Sequence, residues 1–197
     1  MKKLFFIIVC ALAMPTVADA AETEKLTNET RAAMKALAGE LKATLQSSMK
    51  SEGPLKAIAV CNEKAPKLAE KISLETGLQV ARTSLKTRND MNAPDPWELS
   101  VLEQFEHRKS EGEPVERIEY SEMVEIEGLK VFRYMKAIPT DDVCLMCHGK
   151  HIADDLAAQL DKLYPNDKAR GFSKGDIRGA FTVLKLIESS IPLQLQQ

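Results

Sequence analysis

The sequence is poor in aromatics, 5% of 197 residues with Trp97 as the single tryptophan, and it has no surplus of either charge sign, with 27 Lys and Arg against 29 Asp and Glu. A net charge of −2 and a pI near 6.0 leave no basic stripe to neutralise phosphates, so nucleic acid is not an expected partner. The nine glycines and nine prolines are dispersed, which excludes a collagen-like repeat or a low-complexity linker. No apolar run reaches the ~20 residues that span a bilayer. What remains, 44% hydrophobic and 28% charged residues, is the composition of an ordinary globular chain whose length suits one domain.

Residues 1–20 read as an export signal. Lys2 and Lys3 precede the apolar run Leu4 to Met14, followed by Pro15 and the small-residue site Ala18-Asp19-Ala20, with cleavage expected after Ala20. Bulky Val9 before Cys10, and an apolar run that continues past it, argue against a lipid-modified cysteine. The mature chain is expected to be a single domain over residues 21–197, located in a bacterial periplasm. Removing Lys2, Lys3 and Asp19 leaves it 25 basic and 28 acidic residues, and no segment apolar enough to span a membrane.

Without Cys10, three cysteines remain: Cys61, Cys144 and Cys147. An odd number in an oxidising compartment leaves one thiol without an intramolecular partner. The close pair lies in Cys144-Leu145-Met146-Cys147-His148-Gly149, the attachment pattern of c-type haem. Two intervening residues let both sulfurs form thioethers with the vinyl groups on one porphyrin edge, and His148 then lies under the iron as its proximal ligand. A thioredoxin-like pair would follow a strand in a βαβ setting and give the histidine no role. A plain disulfide or a zinc site competes less well with this reading, and zinc would need two further ligands that only Cys61 and the few histidines could supply. One such motif implies one haem c.

The second axial ligand is less constrained. His151 follows His148 by three residues and is hard to bring to the opposite haem face. His107 lies off the apolar face set by Leu99, Leu102 and Phe105, and both histidines read as surface residues. Met135 falls in an expected strand and Met146 inside the attachment motif. Cys61 belongs to the apolar series Leu55, Ile58, Cys61, Ala65, Leu68 and Ile72, so it faces inward from a helix. Pro66 leaves the Asn62 carbonyl without its helical donor and should kink that helix beside the cysteine. From these residues alone a buried thiol and a thiolate ligand are equally good readings of Cys61.

The rest of the pattern gives helices first and strands later. A first helix is expected over about Glu24 to Lys50, with Met34, Leu37, Leu41 and Leu45 on one face, and a second runs from Gly53-Pro54 to Gly77. Leu78 to Leu85 reads as a strand. Asp95 as N-cap, Pro96 and Glu98 start a third helix that ends at Gly112. Glu116 to Glu125 and Lys130 to Ile138 form a hairpin through Gly128, Ile152 to Leu163 a short helix, and Ile177 to Glu188 a last strand. The class is therefore α+β, with N-terminal helices and an antiparallel sheet.

Taken in order, these segments resemble the PAS-like c-type haem domain family, formerly a domain of unknown function, which comprises small exported bacterial haem proteins and extracytoplasmic sensor modules. The resemblance is carried by Ala59-Val60-Cys61-Asn62, by Arg82-Thr83-Ser84-Leu85-Lys86-Thr87-Arg88-Asn89 with Asn92-Ala93-Pro94-Asp95-Pro96-Trp97-Glu98, and by the attachment motif. Tyr164-Pro165-Asn166-Asp167-Lys168-Ala169 and Gly175-Asp176-Ile177-Arg178-Gly179-Ala180 complete it. It covers nearly all of the mature chain without departure at the motif positions. It implies a PAS-like sheet with one covalent haem, and His148 and the Cys61 thiolate as axial ligands.

Of the other motif residues, Arg82, Lys86 and Arg88 are candidates to pair with the haem propionates, or they form a solvated strand face. Trp97 either packs on the porphyrin or belongs to the core of its helix. The glycines of the 175–179 segment should place the last strand. Three functions fit a haem held this way: a redox or small-ligand sensor, an electron-transfer cytochrome, and a peroxidase-like enzyme, for which His107 would be the unassigned distal base. The resemblance ranks them in that order. With no kinase or cyclase attached, a sensor would pass its output to a separate signalling protein, and a carrier would need a redox partner.

Overall fold

A computed structural model describes residues 17–187. The expected leader, residues 1–20, lies outside that range except for Val17–Ala20, which begin the first helix, and Glu188 of the last expected strand also lies outside it. Helix α1 spans Val17–Glu52, longer than its apolar periodicity alone marked. Gly53, with φ +83°, turns the chain into α2 (Pro54–Ala59), where Pro54 takes a first-turn position that needs no N–H. The run does not continue as a regular helix. Pro66 has no N–H to offer the Asn62 carbonyl, and the ladder widens into a π segment, Val60–Lys64, in which the Ala65 N–H bonds the Val60 carbonyl. Helix α3 (Ala65–Thr76) follows and ends at Gly77 in the left-handed conformation. The expected kink is thus a π-bulge, and Cys61 sits inside it.

Four antiparallel strands form one sheet in the order β1-β4-β3-β2: β1 Gln79–Thr83, β2 Glu119–Ile126, β3 Leu129–Pro139 and β4 Ile177–Leu186. Strands β2 and β3 are joined by Glu127 and Gly128, both at positive φ, as a two-residue reverse turn requires. Alternation along β3 splits the core. Phe132 and Tyr134 face α1 and α3, packing with Leu26, Met34, Leu37, Ile72, Phe181 and Val183. Met135 and Ala137 face α4 (Pro96–Ser110), packing with Val101, Leu102 and Phe105. The inward face of α4 is carried by Val101 rather than Leu99, which is exposed, as is Leu55 on α2. The α+β class with N-terminal helices is the one found.

The start of α4 is densely hydrogen-bonded. Asp95 accepts from the Glu98 backbone N–H at 2.7 Å, while the Glu98 side chain accepts from the Asp95 N–H at 3.1 Å, a complete capping box. Arg133, buried on β3, donates to Asp95 at 2.7 Å and lies 4.0 Å over the Trp97 ring, whose Nε1–H donates to Glu122. Trp97 therefore clamps α4 to the sheet. Burial pushes the Asp95 carboxyl up, but hydrogen bonds from Arg133 and the backbone pull it further down, leaving it below its ordinary value. Asp95→Ala should lower stability by about 1–2 kcal/mol in urea unfolding at neutral pH, and Asp95→Asn, which keeps the cap, by less. A folded value below the unfolded one means the contribution is present above pH 3.8 and is lost as pH falls through the folded value. Wild type and the Ala variant should converge there.

Candidate cofactor cavity

Helix α5, Asp142–His148, carries the attachment pattern on just under two turns, so Cys144 and Cys147 share a face and His148 follows directly. The Cys144 N–H bonds the Asp141 carbonyl at 2.9 Å, and Lys42 of α1 donates to the Asp141 side chain at 2.5 Å, tying α5 to the long helix. After α6 (Asp154–Leu163), the chain runs back past α5: Phe172 N–H bonds the His148 carbonyl and Gly171 N–H the Gly149 carbonyl, each at 3.0 Å.

That returning segment fixes the histidine. Ala169 O lies 2.8 Å from His148 Nδ1, and because a carbonyl only accepts, Nδ1 carries the proton and Nε2 presents its lone pair to the cleft, where it accepts from Arg178 Nε–H at 3.4 Å. Burial, then the nearby Arg178 and Arg88 charges, pushes His148 down to about 2, so the ring is neutral. Arg88 braces the arrangement. Its Nη2 donates to the Cys147 carbonyl at 2.5 Å and to the Ala169 carbonyl at 3.2 Å, and its Nε to Asp167 at 3.1 Å. The Arg88 and Asp167 side chains are only 9% and 2% exposed. Burial raises Asp167, but hydrogen bonds from Arg88 and Arg170 hold it below the ordinary carboxylate value.

Between α1, the α2–π run, the end of β1, α5, α6 and the start of β4 lies a cleft with about 1200 Å³ of atom-free space, its mouth included. Cys61, Cys144, Cys147 and His148 all line it, with Arg82 and Arg88. Burial pushes the Cys144 and Cys147 thiols up, and all three cysteines are free. Yet among the described residues no three His, Cys, Asp or Glu side chains converge tightly enough to hold a bare metal ion. The donors surround a space instead of a point, which suits a macrocycle bringing its own four nitrogens.

Two expected contacts lie elsewhere. Lys86 lies in the bend after β1, 5.3 Å over the Phe172 ring and on the α4 side, outside the cleft. Trp97 is held by Arg133 and Glu122, also outside. Arg88 does line the cleft, but its bonds brace α5. His107 pairs with Glu111 on the exposed face of α4, and His151 is exposed beyond α5.

Arg178 was not singled out by the sequence pattern. The β3–β4 register shifts between Ile138, opposite Gly179, and Pro139, opposite Ile177, so Arg178 is the unpaired residue of a bulge. Its side chain turns into the cleft, with Nε 3.4 Å from His148 Nε2 and Nη1 3.2 Å from Ser84 Oγ. Gly179 permits the approach, since a Cβ there would come within 2.5 Å of the Thr83 carbonyl. Burial, with Arg88 and Arg82 nearby, draws Arg178 down to about 10, so it remains a cation. Thr83 Oγ1 is buried on the same wall without a hydrogen-bond partner among the described residues. A cleft with a neutral imidazole, two thiols on one helical face, the Arg82 and Arg178 cations without a carboxylate partner among the described residues and a buried threonine hydroxyl fits a haem.

Fold and cleft together define an α+β domain with a cofactor-sized site between its helices and its sheet. Residues 17–185 match the Tll0287-like family, and the chain belongs to it. Among solved structures, the crystal structure of the cyanobacterial haem protein Tll0287 is similar, with a TM-score of 0.65 at 26% identity over 84% of this chain and 98% of that one. No curated protein matches the sequence. Among the described residues no helix is long and apolar enough to cross a membrane.

The Arg88 brace makes a direct prediction. Arg88→Ala leaves buried Asp167 short of a partner and should cost about 3 kcal/mol in unfolding of the haem-free protein. Amide exchange at Cys147 and His148 should quicken. A loss below ~1 kcal/mol, the scale of an ordinary hydrogen bond, would mean that Arg170 alone satisfies Asp167.

Proposed function

We propose that the chain is an exported monohaem protein of c type, working in the periplasm after cleavage at Ala20 as a single PAS-like domain over residues 21–197, and that it senses redox state or a small ligand. Cys144 and Cys147 form the thioethers, His148 Nε2 is the proximal ligand, and the Cys61 thiolate is the distal one. The observation that carries this reading is that Cys61, on its π segment, and the three residues of α5 line one cleft from different elements. π-Bulges occur frequently at functional sites because they reposition a single side chain within a helix.

The chain's own groups divide the remaining work. Arg82 and Arg178, neither with a carboxylate partner among the described residues, and the Thr83 hydroxyl bind the propionates, with Arg178 taking the place that the sequence suggested for Lys86. Ala169 and Arg88 hold the imidazole plane, and Leu41, Leu45, Ile58, Leu160 and Phe181 keep water from the ring faces. When bound, haem supplies one-electron redox chemistry and exchangeable axial positions. A thiolate favours the ferric state, so its loss on reduction is a two-state event beside α1, which carries it toward a separate signalling partner.

The test is an absorption spectrum of the protein matured in a host with cytochrome c assembly machinery, oxidised and then reduced. The ferric protein should be low-spin with thiolate character and change ligation on reduction. Cys61→Ala should keep the covalent haem while altering the ferric spectrum, and Cys144→Ala with Cys147→Ala should release haem to acid-acetone extraction. Unaltered ligands in both oxidation states would instead favour an electron carrier, and an unchanged Cys61→Ala spectrum would remove Cys61 from the iron.

A further inference from the structure

A thiolate ligand creates a requirement that the same cleft can answer. Thiolate donates negative charge and suits ferric iron, whereas ferrous iron, with one less positive charge, is better matched by a neutral donor such as an imidazole or a thioether. The described residues offer few. His107 and His151 are exposed outside the cleft. Met34 and Met135 are sealed into the two cores, and Met123 packs against the first of them. Met146 is exposed on α5, and Met91 is 88% exposed on a surface turn. Met49 is the methionine that lines the cleft.

Its place follows from the helix that carries it. Leu41, Leu45 and Met49 recur every four residues along α1 and present one stripe to the cleft. The turn at Gly53 folds α2 and the π segment back against α1, so Met49 and Cys61 belong to the same wall. Methionine is unbranched, and its three side-chain torsions let the sulfur reach over a range of positions.

We infer that Met49 is a second axial ligand, held in reserve beside Cys61 and taken up when the iron is reduced. The inference rests on the reading of Cys61 as the ferric ligand. In the step, an external one-electron donor reduces Fe(III) to Fe(II). The iron–sulfur bond to Cys61 breaks with its electron pair on sulfur, and the thiolate takes one proton from solvent to become a thiol. A lone pair of Met49 Sδ forms the new bond to iron. The balance is one electron and one proton in, one bond broken and one made.

The experiment compares haem-loaded wild type, Met49→Leu and Cys61→Ala, leucine being close to methionine in volume. Dithionite-reduced wild type should be six-coordinate and low-spin, with a methionine methyl resonance shifted strongly upfield by the porphyrin ring current. Met49→Leu should keep the wild-type ferric spectrum, which also reports its folding, but lose the methyl signal and become five-coordinate and high-spin when reduced. Its midpoint potential should fall, by about 59 mV for each tenfold loss in ferrous stabilisation. A reduced Met49→Leu spectrum and potential identical to wild type would overturn the inference. If Cys61→Ala alters the ferric spectrum in that case, the Cys61 reading survives and only Met49 fails. If Cys61→Ala leaves it unchanged, both readings fall.

Discussion

The buried pairing of Arg88 with Asp167 is the interaction on which the site depends. A guanidinium and a carboxylate removed from water are costly unless every donor and acceptor is used, and here nearly all of them are. Arg88 reaches Asp167, the Cys147 carbonyl and the Ala169 carbonyl, while Asp167 also takes Arg170 and the Ala169 N–H. These contacts bring together three stretches distant in sequence: the loop after β1, the end of α5 and the segment after α6. Ala169 is common to this network and to the His148 hydrogen bond, so the orientation of the imidazole is set by an ion pair that does not touch it.

The long first helix divides its labour along its length. Its apolar stripe contributes Leu26, Met34 and Leu37 to the core, then passes without a break into Leu41, Leu45 and Met49 over the cleft. Folding energy and cofactor environment thus come from one amphipathic surface. Lys42 on the same helix holds Asp141 at the start of α5. A shift of α1 relative to the sheet would be felt at α5, and the reverse holds equally.

Local chemistry was legible in the sequence wherever a short motif carries its own physics. The Asp95 capping box, the Gly128 turn and the distortion caused by Pro66 were all readable, because each depends on residues within a few positions of one another. The roles of Arg88 and Arg178 were not. Alternating basic residues near β1 suggested propionate contacts for Arg82, Lys86 and Arg88, but a bulge between β3 and β4 aims Arg178 into the cleft, and the bend after β1 carries Lys86 to Phe172 instead. Such a bulge is a property of strand pairing, and no residue on one strand announces it. The spacing glycine, Gly179, was visible, though what it approaches was not. Leu55 and Leu99 fit helical periodicity and are nonetheless exposed, since periodicity marks a face without saying whether another element will cover it.

If Cys144 and Cys147 take up haem as proposed, their burial bears on the life of the chain beforehand. Disulfide formation and exchange proceed through the thiolate, and both Cys144 and Cys147 are held in the protonated form by the apolar surroundings of α5. In the oxidising compartment proposed for it, the haem-free chain would therefore lose its reduced pair slowly, even though the two cysteines lie one helical turn apart on α5. Under the proposed function, the same packing that shapes the cleft would act as a preservative, lengthening the interval during which a newly folded chain stays competent to be loaded.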